Sequence, residues 1–254
     1  MPGEDPYLTG EYGTYIIRGT QEGRDPRYMQ AAATMKHFQI YDYEGYQPNH
    51  GSANLPQDAT CDNTNPAPHC GRGTFDAWPP ARDFASYYMG AFKKVAQEAS
   101  PAAIMCAYNA IYGVPSCASN LTNLLARGEW GWNGMVISDC GAVNGISGSH
   151  NYTHSPNATI AAALNDGGVD VNCGSSTPPY YTVHACTAVA SGSISIRDVD
   201  RAAKRYWETM MRLGMFDDME SQPMVRSRAF RTWVVPEVRA GCVRMRSIGA
   251  HPFN

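Results

Sequence analysis

The chain has 254 residues, 43% hydrophobic and 17% charged, enough apolar material for one substantial core and too long for a miniprotein held by disulfides alone. Its 20 Lys and Arg against 23 Asp and Glu give a formal net charge of -3, which argues against a binder of phosphate backbones, since these need a basic surface. No apolar run approaches the ~20 residues that span a bilayer, so an integral helical membrane protein is excluded too.

The opening Met1-Pro2-Gly3-Glu4-Asp5-Pro6 is turn-rich and reads as the middle of a loop, so the natural N-terminus is expected upstream. Residues 9–22 carry apolar side chains at helical spacing, and 31–38 form a short run that turns polar at its C-terminal end. An amphipathic helix is predicted over 81–98, followed by a strand-like string at 102–109. A helix over 119–128 leads into GMVISD at 134–139, and a helix over 157–166 leads into GVDVNC at 168–173. A helix near 180–191 and the segment 193–216 close the regular part. Met29, Met35, Met89, Met105 and Met135 fall in or beside these elements and read as core.

Apolar strands alternating with helices predict a parallel sheet with helices on its faces. Polar groups end the strands: Lys36-His37, Tyr108-Asn109, Ser138-Asp139 and Asp170. In a (β/α) barrel such ends converge on one mouth, where polar residues read as catalytic. A doubly wound open sheet gathers ligands at the same ends. The chain has no G-x-G-x-x-G or Walker string, so the barrel is favoured. About four strands are expected, roughly the C-terminal half of a TIM-like (β/α) barrel without its first strands.

Each of these residues has two readings. Asp139 is a nucleophile or base beside a sugar-sized pocket, or an N-cap for the next helix. Lys36 and His37 are a pair of donors to sugar hydroxyls, or a surface lysine and a core histidine. Adjacent strand residues point to opposite faces, so both reach one ligand only through a twist or a non-prolyl cis peptide. Tyr108 either hydrogen-bonds a carboxylate across the mouth or simply packs. Arg72, in a loop rich in Gly, Pro and Cys, either forks to vicinal hydroxyls or is solvated.

Eight cysteines and three N-x-[ST] sequons, at Asn120, Asn151 and Asn157, favour the secretory route over a cytosolic protein with inert thiols. His50, Cys61, Asp62, His69 and Cys70 cluster in 21 residues but match no closed tetrahedral zinc spacing. A Cys61–Cys70 disulfide suits them better. Cys140 and Cys173 follow strand-end strings on one face and are expected to pair. Residues 221–254 hold six Arg, no Lys and one acid; this basic tail is a disordered or non-native extension, or binds an anionic partner.

Six strings resemble glycoside hydrolase family 3, nearest its plant and fungal β-xylosidase branch: PGEDPYLTGEYG (2–13), TMKHFQIYDYEGY (34–46), IMCAYNAIYGVPSC (104–117), GWNGMVISDCGAV (131–143), GVDVNCG (168–174) and RLGMFD (212–217). The resemblance covers roughly 2–217, making 1–217 a barrel-domain fragment and 218–254 a separate tail. It implies a retaining β-glycosidase of secreted origin acting on xylo-oligosaccharides. Asp139 would be its nucleophile, and Lys36, His37, Arg72 and Tyr108 would line the sugar site. The substrate would be its partner, with no nucleic acid or membrane and no metal or organic cofactor. The family's acid/base Glu comes from a second domain that nothing after Phe216 resembles. A non-catalytic sugar-binding fragment is therefore the alternative reading.

Overall fold

The computed structural model describes residues 2–42, 71–174 and 179–218. The expected Cys61–Cys70 pair, the His50–Cys70 cluster and the arginine-rich tail lie outside them. Helix α1 (Pro6–Gln21) begins where the sequence reads as a loop. The Asp5 carboxylate accepts the Tyr7 N–H at 2.8 Å, and Pro6 takes the first helical position. This pairing of cap and preset φ opens a helix, so residues 2–6 are a helix entrance.

The principal sheet holds β1 (Thr34–Phe38), β3 (Ala103–Cys106) and β6 (Met135–Ser138), parallel and in chain order. Helical segments lie between them: Ala81–Asp83, a wide π turn Phe84–Tyr88 and α3 (Gly90–Ala99) before β3, then the π-type Thr122–Glu129 before β6. Parallel pairing requires such crossovers, because a tight turn cannot return the chain to the same end of the sheet. The α/β reading with a parallel sheet is therefore correct.

The GVDVNC stretch departs from it, contributing a single parallel bridge, Ile137 to Val171, instead of a strand. The cause is local. The Asp170 carboxylate takes the Val136 N–H at 2.8 Å, while the amides of Asp170 and Val171 both donate to the Val136 carbonyl. Regular pairing is thereby displaced. A second small sheet, β2 (Asp76–Ala77), β4 (Ala110–Ile111) and β5 (Val114–Pro115), has strands too short to show a period. Its hairpin turns at Tyr112-Gly113, both at positive φ (52° and 80°), the conformation that matches strand twist in two-residue turns.

Burial explains the choice of faces. Ile104 and Val136 share one sheet face and are fully buried, and Phe38 packs edge-on against Phe92 (5.2 Å) and Trp130 (6.0 Å). Burying each such side chain contributes about 1.5–3 kcal/mol. Met29, Met35, Met89 and Met135 are in the core as expected. Met105 is only partly buried, because it pairs with Ile137 on the other, less covered face.

At the N-terminal end of the sheet, buried Gln21 joins three elements. Its Oε1 accepts from Ala33 and Ala102 amides, and its Nε2 donates to the Ser100 carbonyl. At Gly13 a Cβ would come within 3.0 Å of Val95, so the missing side chain lets α1 lie directly on α3. Beyond the sheet follow α4 (Ala142–Ser147), α5 (Pro156–Ala161), the wide turn Ala162–Asp166, α6 (Tyr180–Ala190) and α7 (Ile196–Arg212). A capping box at Ser195 and Asp198 opens α7. No described helix is long and apolar enough to cross a membrane.

Candidate active site

Asp139 follows β6 directly. Its amide donates to the Cys106 carbonyl at 3.1 Å, extending the sheet ladder by one residue. The chain then turns at Gly141, whose φ of 88° favours glycine. Gly141 is also the N-cap of α4. Asp139 is therefore not that helix's cap, which corrects one of its two readings. Its Oδ1 accepts the Cys140 amide at 2.7 Å, and its Oδ2 lies 3.2 Å from His37 Nε2. A carboxylate only accepts, so the imidazole proton in this contact sits on Nε2. Both oxygens are thereby oriented, while the side chain keeps 14% of its surface open.

His37 comes from the C-terminal part of β1, where pairing with β3 slips between Met35 and Phe38. The Lys36–His37 and Phe38–Gln39 peptides are cis. The ring of His37 lies against Tyr41 at 4.8 Å. Arg72 donates from Nη1 to the Tyr41 hydroxyl at 3.2 Å, and its guanidinium lies 4.5 Å over the Tyr108 ring. Such stacking suits the flat, delocalised cation. Tyr108 donates to the Cys140 carbonyl at 2.9 Å, so its acceptor is a backbone group one residue past the expected carboxylate. Lys36 is exposed at the same strand end.

Four residues from separate strand ends and loops, His37, Arg72, Tyr108 and Asp139, thus form one connected cluster. Sequence reading missed the parts that hold it together. Tyr41 links His37 to Arg72, and its only signal was its place in the TMKHFQIYDYEGY string. His150 donates from Nε2 to the Tyr108 carbonyl at 2.7 Å; burial pushes its imidazole below the usual histidine range, against the raising effect of that bond. Cys140 and Cys173 are bonded as expected. A second disulfide, Cys106–Cys117, pins the end of β3 beside Tyr108. Cys186 is an exposed free thiol.

Asp170 is not part of the cluster, although it too ends an apolar string. Its carboxylate is 2% exposed and accepts from Arg127 at 2.9 Å, Arg205 at 3.0 Å and the Val136 amide. Burial pushes the Asp170 carboxyl up and the Arg127 guanidinium down to about 10. The three donors around Asp170 nevertheless leave a carboxylic proton no acceptor, and the group is a carboxylate. Among the described residues no group of three His, Cys, Asp or Glu is placed to hold a metal ion.

Residues 64–208 match the family model of the glycosyl hydrolase family 3 N-terminal domain. The chain is 34% identical over 226 residues to a probable exo-1,4-β-xylosidase of Aspergillus terreus (strain NIH 2624), covering 87% of this chain and 26% of that protein. It is 35% identical over 223 residues to probable β-D-xylosidase 7 of Arabidopsis thaliana, again 26% of that protein and 85% of this chain. The structure superimposes on an exo-β-xylosidase in complex with a xylobiose aziridine activity-based probe, with a TM-score of 0.74 at 30% identity over 89% of this chain and 26% of the other. It has the fold of a Listeria innocua β-glucosidase solved with isofagomine: TM-score 0.69, 22% identity, 94% of this chain and 30% of that one. The chain spans about a quarter of the length of the curated relatives it matches.

Proposed function

The chain belongs to glycosyl hydrolase family 3, and from that premise we propose that it carries the nucleophile half of a retaining β-xylosidase site acting on xylo-oligosaccharides. One observation supports this above the others: Asp139 stands at a strand's C-terminal end with His37 3.2 Å away and Arg72 and Tyr108 joined to the same cluster. Three parallel strands in chain order, with a partly uncovered face on the side of Met105 and Ile137, fit three of a barrel's eight strands, with that face as the lumen. The active site would then be its mouth.

In this reading Asp139 attacks the anomeric carbon as the bond to the leaving oxygen breaks, giving a covalent glycosyl-enzyme. The leaving oxygen takes a proton from a general acid, which then removes a proton from the water that releases the sugar. Retaining enzymes keep these two carboxyl groups about 5–5.5 Å apart. His37 and the Cys140 amide orient the Asp139 carboxylate for this attack. The general acid comes, in this reading, from the second domain that the resemblance to the family implies. Lys36 would donate to sugar hydroxyls beside His37, whose Nε2 proton holds Asp139, Arg72 would fork to a vicinal pair, and Tyr108 would hold the Cys140 carbonyl and so the backbone beside Asp139. Two disulfides among the described residues and the exposed sequon residues Asn120 and Asn151 support a secreted protein.

Incubation of the 254-residue chain with a 2-deoxy-2-fluoro-xyloside bearing a dinitrophenyl leaving group tests the assignment. So good a leaving group departs without protonation, so trapping needs no general acid. Peptide mass spectrometry is expected to find the label on Asp139, while an unactivated alkyl xyloside turns over little. A label on any other residue overturns the nucleophile assignment. No label at all favours a non-catalytic sugar-binding role.

A further inference from the structure

The three sequons, Asn120-Leu121-Thr122, Asn151-Tyr152-Thr153 and Asn157-Ala158-Thr159, all have the Asn-x-Thr form, so the sequence does not rank them. The folded chain does. Glycan transfer acts on the extended chain, so the burial of Thr122 and Thr159, each 0% exposed, does not decide the outcome. What decides it is whether the fold leaves room for so bulky a group on the Asn amide nitrogen. Asn120 and Asn151 are exposed, and neither side chain takes part in a hydrogen bond among the described residues. Their backbones are fixed. The Asn120 carbonyl accepts the Leu124 amide at 2.9 Å at the head of the run Thr122–Glu129, and the Asn151 amide donates to the Gly148 carbonyl at 3.2 Å. Asn151 has a φ of 47°, in the left-handed region that Asn tolerates better than most residues. Asn157 is placed differently. It lies half-buried in α5, and its amide clasps the end of α6: Nδ2 donates to Ser191 Oγ at 3.0 Å, and Oδ1 accepts from Thr187 Oγ1 at 3.1 Å. Thr159 Oγ1 donates to the Ser155 carbonyl at 3.0 Å and lies 2.6 Å from Thr153 Oγ1, which closes the same corner from within. A sugar on Asn157 Nδ2 would have to enter the seam between α5 and α6.

We infer that the native chain carries N-linked glycans on Asn120 and Asn151, while Asn157 stays bare as a structural amide joining α5 to α6. In each transfer a bond forms between the Asn Nδ2 and C1 of an oligosaccharide carried on a lipid pyrophosphate. The C1–O bond to the pyrophosphate breaks, the lipid pyrophosphate leaves, and one amide proton passes to a base of the transferase. Both glycans stand beside exposed apolar side chains: Leu124, 59% exposed, lies one turn beyond Asn120, and Tyr152, 44% exposed, follows Asn151. A large hydrated group at each position shields that surface from other chains. The inference rests on the reading of the protein as secreted, since only that route meets the transferase.

The test expresses the 254-residue chain behind a cleavable secretion signal in a eukaryotic host. The secreted material is treated with peptide N-glycosidase in heavy-oxygen water, which converts each glycosylated Asn to a labelled Asp, and is mapped by peptide mass spectrometry. Label is expected at residues 120 and 151 and not at 157, and Asn120→Gln and Asn151→Gln each remove one glycan. A labelled residue 157, or an unlabelled 120 or 151, overturns the inference. Urea unfolding of the chain made without glycans, disulfides intact, reads the structural amide independently of secretion. Asn157→Gln carries the amide one carbon too far for its partners on α6 and lowers the midpoint, whereas Asn120→Gln leaves it in place. An unmoved midpoint for Asn157→Gln overturns the role given to Asn157. The same peptide map on protein from its natural source separates the two readings: all three sites bare there, with 120 and 151 occupied in the host, means that the secreted reading fails while the choice among sites stands.

Discussion

Asp170→Asn should destabilise the fold severely while leaving the Asp139 cluster's composition untouched. The carboxylate is 2% exposed and takes hydrogen bonds from Arg127, Arg205 and the Val136 amide, all within 3.0 Å. Asparagine has one acceptor oxygen, so its amide nitrogen must face at least one of those donors. Both guanidiniums then lose their counter-charge, and the Arg127 side chain is 11% exposed. Breaking a buried ion pair from one side costs about 3–5 kcal/mol, a large share of a typical total of about 5–15 kcal/mol. Equilibrium urea unfolding of the full chain, disulfides intact, should show the midpoint fall with the slope unchanged. Glu208→Gln serves as the control; its ion pair with Lys204 spans 3.7 Å at the surface and should contribute under about 1 kcal/mol. A loss below about 1 kcal/mol for Asp170→Asn would show that the clamp is not what joins the sheet to Arg127 and α7.

Replacing Cys140 and Cys173 together by Ser frees a loop of 33 residues and should cost about 4 kcal/mol by chain entropy. The pair Cys106 and Cys117 closes 11 residues and should cost about 3 kcal/mol; an equal or reversed order in urea titrations would contradict that account. His150 is held below its unfolded pKa of about 6.5, so the unfolded chain binds the extra proton first as pH falls. Stability should therefore be full above that value and decline below it. His150→Gln keeps a donor for the Tyr108 carbonyl and should flatten the decline; parallel pH profiles for the two chains would dismiss the idea. Ser195→Ala removes one side of the α7 capping box and should lower stability by about 1 kcal/mol, read as a shift in the urea midpoint without loss of the other helices' signal.

The order of helices and strands was legible in the sequence because it depends on local periodicity. The strings at 31–38, 102–109 and 134–139 supplied the three parallel strands, and the amphipathic 81–98 segment became the helical run between the first two. The two-residue strands of the small sheet escaped notice because so few residues show no period. Capping geometry at Asp5 was hidden for another reason: Pro and Gly mark a turn and a helix entrance alike. Cys106–Cys117 was missed because Cys106 lies inside an apolar strand-like string and Cys117 in the connection before the next expected helix.

The site divides along the same line. That polar residues end apolar strands was written in the sequence, and it pointed to Lys36, His37, Tyr108, Asp139 and Asp170 alike. Only tertiary structure separated them. Asp139, after β6, faces His37 of β1 across the end of the intervening β3, whereas Asp170 turns into Arg127 and Arg205, residues 43 and 35 positions away in the chain. A carboxylate's surroundings depend on which face its register presents and on which distant cations pack there. Neither is encoded within the few residues around it, because one step along a strand reverses the side chain's direction.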